Sequence, residues 1–284
     1  GIRSLPHMLH VLWKFSRPHT ILGSAVCIPA LSIFAAPAGT TIPFASLVPL
    51  VLYALVPSLM MNVYIVGLNQ LFDVEIDRVN KPKLPLASGE LSLPAGAAIV
   101  LGSLAAGLAL GWAVPPLCSP ALQATLIGSA LLGTVYSLPP FRLKRFPLLA
   151  SFCIMSVRGA LINWGFFMHA SLTVFKSALT ATAGGMAAQR WRCLAPVAFF
   201  TLFGTVIALI KDVPDVDGDR RYGISSFSVR MGQSQVLNFA VRLLALTLAT
   251  AGATLGAMAF SAAQAGAIVL SARRAAVAVA AAAT

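Results

Sequence analysis

Long uncharged stretches alternate with short charged ones along this chain. No Asp, Glu, Lys or Arg occurs between Arg17 and Asp73, or between Glu90 and Arg142. A helix needs about 20 mostly apolar residues to cross a bilayer. The pattern gives seven candidate spans: 20–37, 45–70, 94–114, 120–138, 147–168, 194–211 and 234–259. The stretch 4–17, "SLPHMLHVLWKFSR", is too short and too polar to span. Leu5, Met8, Leu9, Leu12 and Phe15 fall on one helical face, opposite Lys14 and Arg17. This predicts a helix within 1–18 lying in the membrane interface. Residues 260–284 form an atypical Ala-rich tail interrupted by Arg273 and Arg274, read either as an eighth helix or as a poorly defined tail. The expected fold is all-α: a polytopic transmembrane helical bundle forming one domain over 1–284.

Composition sharpens this picture. Hydrophobic residues make up 58% of the chain and charged residues 10%, with mean hydropathy +0.86, which excludes the ordinary water-soluble classes. The net charge of +12 would suggest nucleic acid in a soluble protein. In a membrane it points to anionic headgroups and a phosphorylated substrate, so lipid is an expected partner and nucleic acid is not. Cys27, Cys118, Cys153 and Cys193 are scattered, with no CxxC or Cys/His cluster, and read as free buried thiols.

If the spans alternate, the N-terminus and the loops after spans two, four and six share a side. That side carries thirteen Lys and Arg residues, and the other only Lys176, Arg190 and Arg192. The bias places the basic side in the compartment of synthesis, cytosol or plastid stroma.

Seven of the eight acidic residues fall in two short windows on that basic side. Asp73, Glu75 and Asp77 follow span two; Asp212, Asp215, Asp217 and Asp219 follow span six. Asp73-Val-Glu-Ile-Asp77-Arg78 parallels Asp215-Val-Asp-Gly-Asp219-Arg220, the mark of a pseudo-repeat. Asn69, Asp73 and Asp77 stand at i, i+4 and i+8, one face of a helix. Asp215 and Asp219 share the i, i+4 relation. Rows of like charge repel unless a cation lies between them. Carboxylates with an Asn carbonyl and no His or Cys suit Mg²⁺, whose sphere a substrate phosphate would complete. The plain alternatives are helix capping and loop solvation. Glu75 and Asp217 point off the repeated face.

The basic complement lies beside the acids. Arg78 and Lys81 open "RVNKPKLPLASGELS" (78–92), read as an ordered, turn-rich loop rather than a helix. Arg142, Lys144 and Arg145 lie in "YSLPPFRLKRFP" (136–147). Arg17 sits at the mouth of span one. These cations could hold a diphosphate and stabilise its departure, with membrane sidedness as the alternative for each. Arg158 lies inside span five, where a charge needs a partner: a substrate carboxylate or diphosphate, or a structural carbonyl cage. Tyr64, Phe72, Trp164 and Phe166 are candidates to line a site, or ordinary packing residues.

"NQLFDVEIDRVNKPKLPLASGELS" and "KDVPDVDGDRRYGISSFSVRMGQ" resemble the two Asp-rich motifs of UbiA-type membrane prenyltransferases. With "LWKFSRPHT" and "YSLPPFRLKRFP", the likeness covers most of 10–235 and is strongest to the homogentisate prenyltransferases of plants and algae. It implies seven to nine helices around a central cavity, and Mg²⁺ and prenyl diphosphate held by Asn69, Asp73, Asp77, Asp215 and Asp219. The implied reaction is prenyl transfer to homogentisate with loss of CO₂, in tocopherol and prenylquinone synthesis, in a plastid membrane with the acids facing the stroma. By the same resemblance, "RSLPHMLHVLWKFSRPHT" and "GISSFSVRMGQ" favour a phytyl donor over geranylgeranyl or solanesyl. Chlorophyll synthase is the nearest enzyme alternative. An ion-coupled transporter is the alternative from another class, although transporters more often place lone acids at mid-span.

Overall fold

Proline and serine set where the helices begin. The computed structural model describes residues 5–37 and 40–282, with side chains through 257 and at 260. Pro18, Pro85, Pro120 and Pro147 each open a helix, where a missing N–H costs nothing. The Ser119 hydroxyl accepts from Leu122 N at 3.2 Å as an N-cap.

In chain order the helices are α1 (Leu5–Phe15), α2 (Pro18–Phe34), α3 (Phe44–Phe72), α4 (Val74–Asn80), α5 (Pro85–Ser88), α6 (Leu93–Leu110) and α7 (Pro120–Ser137). They continue with α8 (Pro147–Ile154), α9 (Ile162–Leu172), α10 (Lys176–Thr180), α11 (Gly185–Ile210), α12 (Val216–Arg221), α13 (Phe227–Met231) and α14 (Gln233–Ala282). A π-helical stretch, Met155–Leu161, joins α8 to α9 without a break, giving one 26-residue span. No strand occurs among the described residues.

Five helices are long and apolar enough to cross a membrane: α3, α6, α8–α9, α11 and the Gln233–Ala257 part of α14. Of the seven expected spans, α2 has only 17 residues, and α7 is not among the five. The sixth span starts earlier than expected, at Gly185, and so takes in Arg190 and Arg192. Arg192 donates to Ala36 O at 3.2 Å and Phe34 O at 3.0 Å, closing the C-terminal end of α2, which explains why a helix tolerates that charge. The separate eighth helix is also corrected: α14 runs unbroken into the Ala-rich tail, because alanine has the highest helix propensity.

α3 is the hub, packing on α2, α6 and α7, while α9 packs on α2, α7 and α11. Phe15, Ile28, Ala54, Met61, Tyr64, Val100, Leu122 and Phe166 form the largest core cluster. α1 is not wholly interfacial: Val11 and Phe15 are buried, while Leu5, Met8, Leu9 and Leu12 remain exposed.

Between helices in a bilayer the attraction comes from close packing, so small residues mark the contacts. A Cβ on Gly67 would lie 2.6 Å from Val100 and 2.7 Å from Phe15. On Gly165 it would lie 1.7 Å from Thr125 Oγ1. Gly165→Ala should therefore cost about 1–3 kcal/mol as overpacking between α7 and α9. Gly23→Ala, with nothing within 4 Å of the added carbon, should not lower stability. Thermal unfolding in detergent checks both, and equal midpoints for the two variants would contradict this packing.

Candidate active site

The two acidic windows are built alike. α3 ends at Phe72, Asp73 leaves the helix at φ −117°, ψ 14°, and α4 resumes at Val74. Beyond α11, Asp215 has φ −96°, ψ 6° and precedes α12. In each repeated pair the carbonyl of the earlier Asp accepts from the N–H of the later one: Asp77 N to Asp73 O at 2.7 Å, Asp219 N to Asp215 O at 3.0 Å. This corrects the expectation of one continuous helical row. Asn69 and Asp73 still meet, Nδ2 to Oδ2 at 3.0 Å, but the chain turns at Asp73 before reaching Asp77. The expected loop over 78–92 is also corrected: it contains the end of α4 and the whole of α5.

The windows then meet. Asn80, the last residue of α4, donates to Asp215 O at 3.1 Å and accepts from Gly218 N at 3.1 Å. A Cβ on Gly218 would lie 2.2 Å from Asn80 Oδ1, so only glycine permits this approach. Lys81 pairs with Asp215 across the same contact. Sequence reasoning missed Asn80, although its signal was present. It stands at i+3 from Asp77 and i+7 from Asp73, on the face that the acids share.

The charged side chains sort by burial. Among the described residues the buried Asp, Glu, Lys and Arg side chains are Asp73, Asp77, Lys144 and Asp219, all predicted site residues. Lys144 pairs with Asp73, and Arg142 donates to Asp73 Oδ1 and Phe72 O at 3.0 and 3.1 Å. Burial pushes the Asp77 carboxyl up to about 6, against the charges of Lys81 and Arg17 and with Asp73 adding to the rise. Burial likewise pushes Asp219 up to about 6, with Asp212 adding. Burial lowers the Lys144 pKa, and the Asp73 charge opposes that shift. Arg17 is thus brought near Asp77 from the start of α2, where its own backbone has φ 52°.

Other predicted residues fall outside this assembly. Arg78 is exposed and pairs with Glu75 at 2.8 Å, three residues back on α4, so the helix turns it away from Asp73 and Asp77. Arg158 lies in the π-helical stretch, away from both windows along the span. Phe72 and Trp164 are 38% and 40% exposed, whereas Tyr64 and Phe166 are core residues. Sequence reasoning also gave Lys211 no site role; it pairs with Asp212 at the edge of the second window.

A divalent cation can be tested against this donor set. Among the described residues no three His, Cys, Asp or Glu side chains converge on one point. The available donors are hard oxygens, and Asp77 Oδ2 is buried with no hydrogen-bond partner. Hard oxygen donors and an unsatisfied buried carboxylate oxygen fit a hard dication that also takes ligands from a substrate.

Asn80 gives a direct test of the contact between windows. Asn80→Ala removes two of the three contacts described between the windows, leaving the Lys81–Asp215 pair, and should reduce turnover about 10- to 100-fold, as loss of an outer support to metal ligands does. Steady-state rates at rising Mg²⁺ check this, since a looser site should also need more metal. A variant with wild-type rate and metal requirement would contradict the role.

The sequence profile of the UbiA prenyltransferase family matches residues 15–283. The chain is 43% identical over 245 residues to a probable homogentisate phytyltransferase 1, chloroplastic, of Oryza sativa subsp. japonica, covering 86% of this chain and 58% of that protein. It is 41% identical over 255 residues to a homogentisate geranylgeranyltransferase of Hordeum vulgare, covering 88% and 58%. The chain thus spans under two thirds of the length of these relatives. Its fold is similar to that of a UbiA homolog from Archaeoglobus fulgidus bound to GPP and Mg²⁺, with a TM-score of 0.59 and 19% identity over 84% of this chain and 75% of that one. The match over residues 15–283, nearly the whole chain, places this protein in the UbiA prenyltransferase family.

Proposed function

We propose that the protein transfers a prenyl group, phytyl in the first instance, from its allylic diphosphate to the aromatic ring of homogentisate, with loss of CO₂. One observation carries the reading: the buried charges of the described residues lie at one end of the bundle, where two repeated acidic windows lock together beside basic groups. The names of the rice and barley relatives support the acceptor, and the GPP and Mg²⁺ of the archaeal neighbour support the donor class and metal. A plastid membrane with the windows facing the stroma agrees with the rice relative's name and the basic bias of that side.

Asn69, Asp73, Asp77, Asp215 and Asp219 would hold Mg²⁺, which when bound neutralises diphosphate charge as a Lewis acid. Lys81, Arg142 and Lys144 then exchange a carboxylate partner for a phosphate one and stabilise the leaving group. Asp77 and Asp219, when ionised, would belong to that oxygen set, and Arg17 places positive charge toward Asp77. The allylic C–O bond breaks, and the ring carbon forms its bond to C1 of the prenyl chain. The ring gives up one proton. The carboxyl leaves as CO₂ and is replaced by one proton, so the proton count closes.

A transporter reading has no support in the placement of acids, since all eight lie outside the five long spans. The test incubates membranes containing this chain with labelled homogentisate, Mg²⁺ and, in turn, phytyl, geranylgeranyl and solanesyl diphosphate. A prenylated, decarboxylated product is expected, fastest with phytyl. No product with any donor would sink the reading; a faster geranylgeranyl product would correct the donor alone.

A further inference from the structure

Among the described residues, two that are not glycine hold a left-handed backbone: Arg17 at φ 52° and Arg142 at φ 39°. Both are arginines, and each stands immediately before a helical turn. Such a backbone crowds the Cβ, persists only where surrounding contacts fix it, and is found mostly at functional sites. Arg142 is held by its own side chain, through Asp73 Oδ1 and Phe72 O. Arg17 is in none of the six ion pairs among the described residues. Its turn is held by other groups.

Those groups come from α3, on both sides of Arg17. Two residues before it, Phe15 O closes α1, and Gln70 Nε2 donates to that carbonyl at 2.8 Å. The Phe15 ring is buried against Gly67 of the same helix. On the far side, Thr20 N and Thr20 Oγ1 each donate to Arg17 O at 2.8 Å. Asn62 Nδ2 donates in turn to Thr20 Oγ1 at 2.9 Å and to Ser16 O at 3.4 Å. Gln70 lies three residues before Asp73, less than one turn of helix. The turn that carries Arg17 is thus fixed to the end of α3, where the first acidic window begins. Gln70 is 1% exposed, and its Oε1 is buried with no hydrogen-bond partner. A side chain that satisfies one carbonyl while stranding its own oxygen adds little net stability. That balance favours a role in placement.

We propose that Gln70 is a positioning residue that acts through Arg17, holding the α1–α2 turn so that the guanidinium stands at the diphosphate site. This rests on the prenyl-transfer reading and adds to it a neutral side chain, outside the acid rows, on which a leaving-group contact depends. Asp77 already feels the Arg17 charge, which agrees with that placement. Without the Gln70 and Thr20 contacts the turn would relax to an ordinary backbone and carry the guanidinium away. A cation held in place also stabilises a departing anion better than one that must first be ordered. A guanidinium suits the task, because its planar fork matches phosphate oxygens with two parallel N–H donors.

The experiment measures binding of a non-hydrolysable phytyl thiodiphosphate with Mg²⁺ to the purified protein in lipid nanodiscs. Arg17→Met should weaken binding about 10- to 100-fold, the range of a charge-assisted contact. Gln70→Met keeps the volume and removes the donor, and should weaken it about 5- to 10-fold, the scale of one supporting hydrogen bond. In the Arg17→Met background the same change should cost less than about twofold, because the residue it acts through is gone. Thr20→Val loosens the other side of the turn, should follow the same pattern, and serves if Gln70→Met does not fold. Thermal unfolding of Arg17→Gly is an independent check: glycine adopts this backbone freely, so the midpoint should not fall. Equal losses with and without Arg17 would overturn the proposal, since Gln70 would then act on packing alone. So would wild-type affinity in folded Gln70→Met and Thr20→Val, or a lowered midpoint in Arg17→Gly. No binding of the probe to wild type would overturn the prenyl-transfer reading, and this assignment with it.

Discussion

Asp73→Ala and Asp215→Ala are each expected to reduce prenyl transfer by about a thousandfold or more, the scale set by losing a preorganised group that stabilises charge in the transition state. Each removes the first Asp of its repeated Asp pair, immediately before the short helix of its window begins. Membrane insertion should survive, because the spans are apolar and contribute none of these acids. Asp73→Ala carries a second cost, leaving the Lys144 ammonium buried without its partner. Asp73→Asn retains the shape and a hydrogen-bonding oxygen and should be the better folded of the two, yet equally inactive. Asp217→Ala is the control: Asp217 is exposed and off the shared face, and its rate should match wild type. Initial rates in membranes, normalised to protein content, decide the matter. Wild-type turnover in both Asp73→Ala and Asp215→Ala would remove the metal-site assignment.

Lys144→Met should show the next largest effect, a loss of about 100- to 1000-fold in turnover, as for removal of one transition-state donor. Lys144 is 8% exposed, and its partner Asp73 is equally buried. Removing one member of a buried pair typically costs about 3–5 kcal/mol, because the other charge is stranded. Stability and activity therefore fall together in the single variant. Lys144→Met with Asp73→Asn separates them: neutralising both partners should restore much of the thermal stability and none of the turnover. If the double variant regained activity, Lys144 would be serving only to hold Asp73. Arg142→Met, at a half-buried site with a second donor contact to Phe72 O, should be milder in stability and comparable in rate.

Much of the site was legible in the chain itself. Repeated acids on one membrane side gave Asp73, Asp77, Asp215 and Asp219, and the neighbouring cations gave Lys81, Arg142 and Lys144. Arg78 shows the limit of such reasoning. It is adjacent to Asp77 in sequence, yet the short helix α4 rotates it about 100° away and pairs it with Glu75. Asn80 shows the converse, a neutral side chain whose role exists only because residue 215, 135 positions later, folds against it.

By itself the sequence determined that the chain is helical with spans apolar enough for a membrane, and that nearly all of its carboxylates stand outside them in two matched windows. Those properties follow from local composition and from uncharged length, since a bilayer excludes charge segment by segment. Only the tertiary structure decided where the helices break at Asp73 and Asp215, which lysine meets which carboxylate, and that α4 and α12 dock through Asn80 and Gly218. These depend on distances between segments far apart in the chain, which helix packing sets and periodicity along one helix cannot encode.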